Sequence, residues 1–314
     1  MKYCTTVLLV ISFFGYSQSN ASLATPFLES IVQQFPNVRD IALSPAQDEV
    51  LFSAQSFMSD ISVLISTKKV NGEWQEPKIA SFSGAFFDLE PFFSTDGLSL
   101  YFASNRPLDA KSRTTKDFDI WVVTRKTTSD AWSDAINLGA PVNTAMDEFY
   151  PVITNSKNIY FTLDNPELNQ KDNIYMSAYV DGVYQQPKQL SNSINSDGYE
   201  FNAFVSPDES LLIYTRYNGE GGFGSGDLYI SHKMKDGAWS PSENMGPTIN
   251  TDKMEYCPFV DMTTKTLYFT SKRNSLELKP GVTEIQLKDL FNSYENGLSR
   301  LYQVNIDAFI STPD

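Results

Sequence analysis

A short segment that opens with an acidic residue and continues as an apolar strand appears four times along the chain. The four copies are DLEPFFS (88–94), EFYPVIT (148–154), EFNAFVS (200–206) and EYCPFVD (255–261). Each is followed by a turn and a second apolar strand, at 99–103, 159–162, 211–215 and 266–270, and a fainter copy opens the series at 41–53. The repeat length is roughly 55 residues, which is typical of a repeat protein.

A third strand and a fourth element complete each repeat. The third strands lie at 119–123, 173–176, 227–230 and 300–304, and the fourth elements each contain one aromatic residue, namely Trp74, Trp132, Tyr184 and Trp239. Four short strands per repeat are typical of a β-propeller blade. The sequence therefore predicts an all-β chain, a single propeller domain over residues 22–314 with five blades, six being the alternative.

The two ends of the repeat region predict how the ring closes. The last copy ends after its third strand, near Ile310, and an unassigned apolar segment at 27–32 precedes the first copy. We expect the amino-terminal segment to supply the outer strand of the last blade, because this removes two exposed strand edges.

The first 21 residues differ from the rest. Lys2 precedes an apolar run at 7–14, and Ser19-Asn20-Ala21 offers small residues for cleavage, which predicts a signal peptide over 1–21 and a periplasmic or secreted protein. No later stretch approaches the ~20 apolar residues of a membrane-spanning helix. The sequence thus predicts no transmembrane segment.

The net charge limits the possible binding partners, and the cysteine content limits the possible disulfides. The net charge of −14 repels nucleic-acid phosphates, so we expect no nucleic-acid partner and favour a protein or a cell-wall glycan. Removal of the signal leaves Cys257 as the single cysteine, which predicts a fold held by its core without an internal disulfide.

Two groups of motifs resemble known families. The turns Ser94-Thr95-Asp96-Gly97 and Ser206-Pro207-Asp208-Glu209 resemble those of the WD40-like (PD40), TolB-like propeller repeat. The segment from Gly219 to Tyr229, with Trp239-Ser240-Pro241 and 245–251, is similar to the propeller of bacterial envelope proteins that often contain an OmpA-type peptidoglycan-binding domain. The resemblance implies a propeller of the cell envelope, a fold used for several functions.

The leading acids are the first candidates for a site. They share one face of the predicted propeller with the longest loops, at 105–118, 164–172, 217–226 and 273–297, and long loops on a rigid scaffold are where binding usually resides. On one interpretation the acids ring the axial mouth and bind a cation or a hydroxyl-rich ligand. On the other, which repetition in every blade favours, they cap backbone amides or pair with an arginine of a neighbouring blade. The residues are Asp88, Glu148, Glu200 and Glu255, with Arg106 and Arg273 nearby.

Three features interrupt the repeat. The glycine-rich loop 219–226 before Asp227 predicts a flexible hairpin loop more than a ligand loop, since no Lys-Ser/Thr follows it. The spacing of Leu287, Leu290, Phe291 and Tyr294 predicts an amphipathic helix ended by Gly297, with its apolar stripe packed on the propeller.

The third is an aspartate cluster before the third strand of the second copy. Asp109, Asp117 and Asp119 lie near Arg113 and Lys116, and oxygen ligands of this kind suit calcium. Their spacing matches no calcium loop, so a solvated loop is favoured. We expect no cofactor, with a structural calcium ion as the alternative.

The residue types argue against most enzyme classes. After removal of the signal, His232 and Cys257 lie on different repeats, which argues against a His/Cys zinc site and against a serine triad of the usual kind. We therefore expect a non-catalytic binding or scaffold propeller that uses its loop face. The alternative is a carboxylate-dependent glycoside hydrolase or lyase acting at the axial mouth, which needs two acids about 5 to 10 Å apart.

Overall fold

The protein is a five-bladed β-propeller in the computed structural model, which describes residues 23–109, 111–165 and 172–310. The predicted signal peptide, residues 1–21, lies outside the described residues. Each blade is an antiparallel sheet whose strands are called inner, second, third and outer from the axis outward. The prediction of an all-β fold with five blades is confirmed, and the described helices are short.

The strand bounds follow the predicted repeats closely. The chain begins with β1 (Thr25–Pro26) and α1 (Glu29–Val32). Blade 1 contains β2 (Asn37–Leu43), β3 (Glu49–Gln55), β4 (Ser62–Val70), its extension β5 (Glu73–Trp74) and outer β6 (Lys78–Ile79). Blade 2 contains β7 (Asp88–Phe93), β8 (Ser99–Ser104), β9 (Asp119–Thr124) and β10 (Ile136–Asn137).

Blade 3 contains β11 (Asp147–Ile153), β12 (Ile159–Asp164), β13 (Asn173–Ser177), the hairpin β14 (Tyr179–Val180) and β15 (Val183–Tyr184), and outer β16 (Lys188–Gln189). Blade 4 contains β17 (Tyr199–Val205), β18 (Leu211–Tyr217), β19 (Gly226–His232) and β20 (Glu243–Asn244). Blade 5 contains β21 (Glu255–Asp261), β22 (Thr266–Ser271), α2 (Glu284–Phe291) and β23 (Arg300–Asn305), before α3 (Asp307–Ile310).

A β-bulge interrupts every inner strand at the same place. The strand register shifts there, and one residue adopts a left-handed backbone with φ between 50° and 58°. A bulge changes the direction of a side chain, and such a φ in a non-glycine residue costs of order 1–3 kcal/mol unless its surroundings hold it. The five bulge residues, here called the axial ring, are Asp40, Glu90, Tyr150, Asn202 and Cys257.

A repeated asparagine positions the start of three inner strands. Asn143 accepts a hydrogen bond from the backbone N–H of Ile120 and donates one to its carbonyl, both at 2.9 Å. Asn195 and Asn250 do the same in the next two crossovers, to Ile174 and Leu228. Each crossover is thereby fixed to the third strand of the preceding blade, five residues before a leading acid.

The helix α2, between the second and third strands of blade 5, differs from the helix that the sequence predicts. The helix α2 ends at Phe291 and none of its residues is buried, so the expectation that an apolar stripe packs on the propeller is wrong. Leu287 and Leu290 are only half-buried and Phe291 is 61% exposed, whereas Tyr294 is buried just beyond the helix. Among the residues that the structure describes, no helix has the length and apolar character to cross a membrane.

The amino-terminal segment closes the ring as predicted. Strand β1 pairs antiparallel with β23, so it is the outer strand of blade 5. Phe27 follows it, donates its backbone N–H to the Leu301 carbonyl at 2.9 Å and packs its ring 4.7 Å from that of Tyr268. The short strand β1 is thus supported by an aromatic contact, and the hydroxyl of Tyr294 also donates to the Phe27 carbonyl.

We expect Phe27→Ser to lower the free energy of unfolding by about 2 kcal/mol, because it removes the apolar burial that holds β1. Chemical denaturation of the protein from residue 22 onward measures this. Phe57→Ser is the matched control, since Phe57 is 71% exposed and should tolerate the change. Equal midpoints for the two variants would show that the amino-terminal strand does not stabilise the ring.

Candidate functional site

The four leading acids are buried inside the blades. Their residues are 0% exposed, and none of them lines the cavity on the axis. Each carboxylate contacts the crossover leading into its own blade, and three also contact a hydroxyl or an arginine at the end of the second strand. Glu148, Glu200 and Glu255 each accept a backbone N–H, as the capping alternative predicted, whereas the partners of Asp88 are two hydroxyls and Arg106. The arginines belong to the same blade rather than to a neighbour. That these acids bind a ligand stays a prediction.

Three leading acids form an ion pair with an arginine held between two aromatic rings. Asp88 pairs with Arg106 at 2.6 Å, and Glu200 pairs with Arg216 at 3.0 Å. In blade 5 the Glu255–Arg273 distance is 3.6 Å. The guanidinium carbons lie 4.4 to 5.7 Å from rings of the second and third strands, which are Phe102 and Trp121, Tyr214 and Tyr229, and Phe269 and Tyr302.

Blade 3 lacks this arginine. Leu163 lies opposite Glu148 in the strand register, where Arg216 lies opposite Glu200. One oxygen of Glu148 accepts from the backbone and hydroxyl of Thr144, and the other is buried without a partner among the described residues. Burial, with the negative charges of Asp119 and Asp117, raises the pKa of Glu148 to about 8. Glu148 is therefore largely protonated at neutral pH, unlike a carboxylate in an ion pair.

The aspartate cluster before β9 is held by a lysine. Lys116 lies 3.0 Å from Asp117 and 2.7 Å from Asp119, whose other contact is the Asn137 amide at 2.6 Å. Asp109 accepts a bond from the Lys111 backbone on the surface. Among the described residues these three aspartates do not bring three ligand atoms within 4.8 Å of one another. The structural calcium ion therefore stays a prediction that these three carboxylates alone do not support.

The glycine-rich loop is a hairpin connection, but it is closely packed. Both oxygens of Asp227 accept backbone N–H groups of the loop, from Phe223 at 2.6 Å and Gly224 at 3.1 Å. A Cβ atom on Gly224 would lie 1.8 Å from the Lys253 carbonyl oxygen. Gly224 is required by this approach to the segment that leads into blade 5, a close packing that the expectation of a flexible loop did not include.

The axial ring brings side chains of all five blades together. Arg39 of blade 1 donates from Nε to Asp40 at 2.7 Å and from Nη2 to Glu90 at 2.6 Å and to the Cys257 sulfur at 3.3 Å. Asn202 donates to Glu90 at 3.0 Å, and its carbonyl oxygen accepts from Cys257 at 3.3 Å.

Blade 3 joins the ring through Tyr150. Its backbone N–H donates to Glu90 at 2.7 Å, and its hydroxyl donates to the Pro258 carbonyl of blade 5 at 2.9 Å. Contacts between blades that are not neighbours in the ring, such as 3 with 5 and 2 with 4, are geometrically feasible only at the axis. The axial ring therefore closes the centre of the propeller.

Arg39 supplies the positive charge of the ring. The ligand atoms of Asp40, Glu90 and Cys257 lie within 4.8 Å of one another, which is a spacing that a metal ion accepts. The Arg39 guanidinium, however, contacts all three and supplies the positive charge. Burial raises the pKa of Glu90 to about 7, although Arg39 acts in the opposite direction. Burial likewise raises the pKa of the Cys257 thiol, so this residue is neutral and not nucleophilic.

A cavity of about 230 Å³, here called the axial cup, opens above the ring on the loop face. Arg39, Glu90 and Asn202 form its polar floor. Its walls are Leu89, Phe149, Phe201, Met254 and Tyr256, with Thr162 and Asp172 on the side of blade 3. Burial and the charges of Asp164 and Asp147 raise the pKa of Asp172 to about 6. A second cavity, of about 260 Å³ and lined by Phe92, Phe204 and Phe259 among others, opens at the opposite end of the axis.

Sequence reasoning missed the axial ring although its signal is present. Each ring residue lies two positions after a leading acid, or after Val38 in blade 1, and each differs in type. Variation at one position of an otherwise repeated segment is what a unique site requires. The position lies within an apolar strand in the sequence pattern, and the bulge that changes the direction of its side chain leaves no mark on that pattern.

Comparison with solved structures agrees with the fold. A thermostable family-43 glycoside hydrolase superposes with a TM-score of 0.51 at 11% identity, over 86% of this chain and 89% of the other. TolB from Acinetobacter baumannii gives 0.47 at 12% identity, over 85% of this chain and 54% of TolB. An α-L-arabinofuranosidase from Lactobacillus brevis gives 0.48 at 12% identity, over 88% and 97%. No protein-family model and no curated protein matches the sequence. The superposition on the family-43 glycoside hydrolase supports the fold, and it assigns no function to this chain.

The missing arginine of blade 3 gives a prediction about pH. The folded protein keeps a proton on Glu148 up to about pH 8, whereas the unfolded chain releases that proton near pH 4.3. The contribution of Glu148 to the free energy of unfolding therefore declines as the pH rises from about 4.5 to 8. Glu148→Gln should therefore be at least as stable as the parent at pH 8 and flatten the pH dependence. Glu200→Gln, the matched control, leaves Arg216 without its counter-ion and should cost about 1–3 kcal/mol. Thermal unfolding at pH 5 to 9 measures both, and equal losses for the two variants would contradict the assignment.

Proposed function

We propose that this chain is a non-catalytic binding propeller that presents its loop face to a protein partner. Exposed apolar side chains on the connections between second and third strands support this proposal. They occur on four of the five connections, and the fifth lies partly outside the described residues. They are Phe57, Met58, Ile61, Leu108, Phe223, Leu278, Ile285 and Phe291, with exposures of 47% to 81%.

The two faces of the propeller differ in degree. On the opposite face, the described turns between inner and second strands contain no large exposed apolar side chain, and the connections between third and outer strands contain four, Val70, Val180, Val183 and Met234, with exposures of 42% to 59%. Exposed apolar groups gathered on loops are typical of interaction surfaces, and loops vary freely on a rigid scaffold. Aliphatic groups predominate among them, which favours a protein over a glycan, because sugars stack on aromatic rings. The partner is therefore expected to offer an apolar surface.

The resemblance of the turns at 94–97 and 206–209 supports a finer assignment. We place the chain with the WD40-like (PD40), TolB-like propellers of the bacterial envelope, acting in the periplasm or outside the cell. The predicted signal peptide at 1–21 and the segment from Gly219 to Tyr229 support this placement. In this setting a protein partner of the envelope is more consistent with the loops than a wall glycan.

The surface can be tested by substituting loops on opposite sides of the ring. Met58→Ser with Ile61→Ser in blade 1, or Ile285→Ser with Phe291→Ser in blade 5, should reduce capture of a specific partner from an envelope extract at least tenfold without changing the melting temperature. Val180→Ser with Val183→Ser is the control, since both residues are exposed on the outer hairpin of blade 3. Undiminished capture by both loop variants, or capture of glycan alone, would contradict the proposal.

The alternative of glycoside hydrolysis draws on the acids at the axis. Glu90 and Asp172 both line the axial cup beside aromatic walls. Glu90, however, accepts hydrogen bonds from Arg39, Tyr150 and Asn202, so both of its oxygens are occupied by groups of the protein. Asp40 accepts from Arg39 and Ser53, within 4.8 Å of Glu90, which is shorter than the ~5–10 Å that a hydrolase needs.

We therefore expect no release of reducing sugar from cell-wall or plant glycans by the purified protein. An assay at pH 5 to 8 with the parent and with Asp172→Asn measures this. Hydrolysis by the parent that is lost in Asp172→Asn would replace the binding proposal with the enzymatic one. Hydrolysis that survives Asp172→Asn would indicate a contaminating enzyme and leave the expectation standing.

A further inference from the structure

The glycine-rich loop of blade 4 forms one wall of a further cavity on the loop face. This cavity, here called the loop cleft, has a volume of about 460 Å³ and lies between the connections that join second to third strands in blades 4 and 5. Tyr217 and Ser225 line it from blade 4, Lys272 and Asn274 line it from blade 5, and Lys253 lies between them. The volume is within the roughly 300–1,000 Å³ of ligand sites in proteins.

Backbone contacts fix the positions of the two lysines. Ser225 donates its backbone N–H to the Lys253 carbonyl at 2.8 Å, and Lys272 donates its backbone N–H to the Met254 carbonyl at 2.9 Å. Gly224 lies so close that a Cβ atom there would be 1.8 Å from the Lys253 carbonyl oxygen. The segment that bears Lys253 is therefore held between the glycine-rich loop and the end of β22. Such a site is preorganised, which lowers the cost of binding.

Several polar groups of the loop cleft are not used by the protein. No carboxylate of the described chain lies within 4.0 Å of the Lys272 ammonium group, and the hydroxyls of Tyr217 and Ser225 have no hydrogen-bond partner among the described residues. The oxygen of the Asn274 side chain accepts from the backbone of Leu276 at 2.8 Å, which leaves its nitrogen available to a ligand. One cavity thus offers ammonium, hydroxyl and amide donors to an acceptor.

The charge of the loop cleft is opposite to that of the chain. Lys253 and Lys272 line it with a single carboxylate, Asp252, which pairs with Lys253 at 2.7 Å and is 78% exposed. The chain as a whole has a net charge of −14. An acidic group is therefore repelled by most of the surface and attracted here, which selects both the partner and its orientation.

Exposed apolar side chains lie on both sides of the loop cleft. Phe223 is 47% exposed and precedes Ser225 by two residues, and Leu278 is 70% exposed and follows Asn274 by four. Both belong to the connections on which the proposed function depends. A chain segment laid across the cleft would meet an apolar group of blade 4, then the lysines, then an apolar group of blade 5.

We propose that the loop cleft binds an acidic segment of the protein partner, in which an aspartate or glutamate is flanked by apolar residues. The carboxylate accepts from the Lys272 ammonium group, with the Asn274 amide and the Ser225 hydroxyl as further donors, and such charged hydrogen bonds are stronger than neutral ones. Phe223 and Leu278 contact the flanking side chains, which a free anion or a sugar acid would leave unused. This inference rests on the proposed function, because it names the chemistry by which the partner is recognised.

The experiment is a titration of the 15N-labelled protein, from residue 22 onward, followed by NMR. The probe is acetyl-Phe-Asp-Leu-amide. Acetyl-Phe-Asn-Leu-amide removes only its charge, and acetyl-Gly-Asp-Gly-amide removes only its apolar side chains. Inorganic phosphate and glucuronate represent anions that are not peptides. We expect the probe to shift the signals of Lys253 and Lys272, and the two control peptides to bind about tenfold more weakly, a difference that NMR titration resolves.

Variants test the residues that hold the carboxylate. Lys272→Met should weaken binding of the probe about tenfold and reduce its dependence on salt, because it removes a charge and keeps the apolar stem. Lys272→Arg should restore most of the binding, and Asn274→Ala should weaken it less than Lys272→Met does. Lys188→Met is the matched control, since Lys188 is exposed on the outer strand of blade 3 and should not affect binding. Unchanged melting temperatures exclude a loss of fold.

The inference is wrong if the probe binds more weakly than about 10 mM, if its asparagine analogue binds equally well, or if Lys272→Met leaves binding unchanged. Tighter binding of phosphate or glucuronate than of the probe would overturn it as well, since the cleft would then select an anion that is not a peptide.

The proposed function is judged separately, by capture of a partner from the envelope extract. Capture that is lost in the loop variants of blades 1 and 5 but kept in Lys272→Met would retain the proposed function and remove this inference. Capture that no loop variant reduces, together with binding of the probe, would remove the proposed function and leave the loop cleft as a peptide site.

Discussion

The centre of this propeller depends on one buried guanidinium. Arg39 contacts Asp40, Glu90 and Cys257, and thereby joins blades 1, 2 and 5, while Asn202 and Tyr150 connect blades 4 and 3 to Glu90. Two carboxylates without a counter-charge could not be kept ionised at this depth. The backbone strain of five left-handed bulge residues is tolerated because these contacts, together with strand pairing, hold each one. The axial cup exists because the ring closes the channel beneath it.

The sequence predicts the parts of the fold that repeat. Blade number, strand order and closure by the amino-terminal segment follow from apolar segments that recur about every 55 residues, and each agrees with the structure. The leading acids were found for the same reason, and their repetition favoured a structural role. The expected arginine partner was in a neighbouring blade, whereas Asp88 and Glu200 bond within their own blades. A sequence repeat shows which residue type recurs from blade to blade, but it does not show the direction of the side chain.

What could not be predicted lies where the period is broken. The bulge adds a residue to one strand, so a side chain that alternation assigns to one face appears on the other, as Cys257 does when it meets Arg39 and Asn202 rather than an apolar core. The predicted packing of α2 was wrong for a different reason. The spacing of Leu287, Leu290 and Phe291 shows that these side chains share one side of a helix, but it does not show which surface they contact. Contacts between residues far apart in the sequence determine both the direction of the bulge side chains and the packing of α2.

Strand β1 pairs with a strand far along the chain. It is synthesised well before its partner β23, and the Tyr294 hydroxyl donates to the Phe27 carbonyl across 267 positions of sequence. Blades 1 to 4 consist of local hairpins, which form early, whereas the final closure must bring the two ends of the chain together and bear the largest entropic cost. Until then blade 5 lacks its outer strand and exposes an unpaired edge. The newly made chain is consequently most prone to association with its own copies in the interval before its two ends meet.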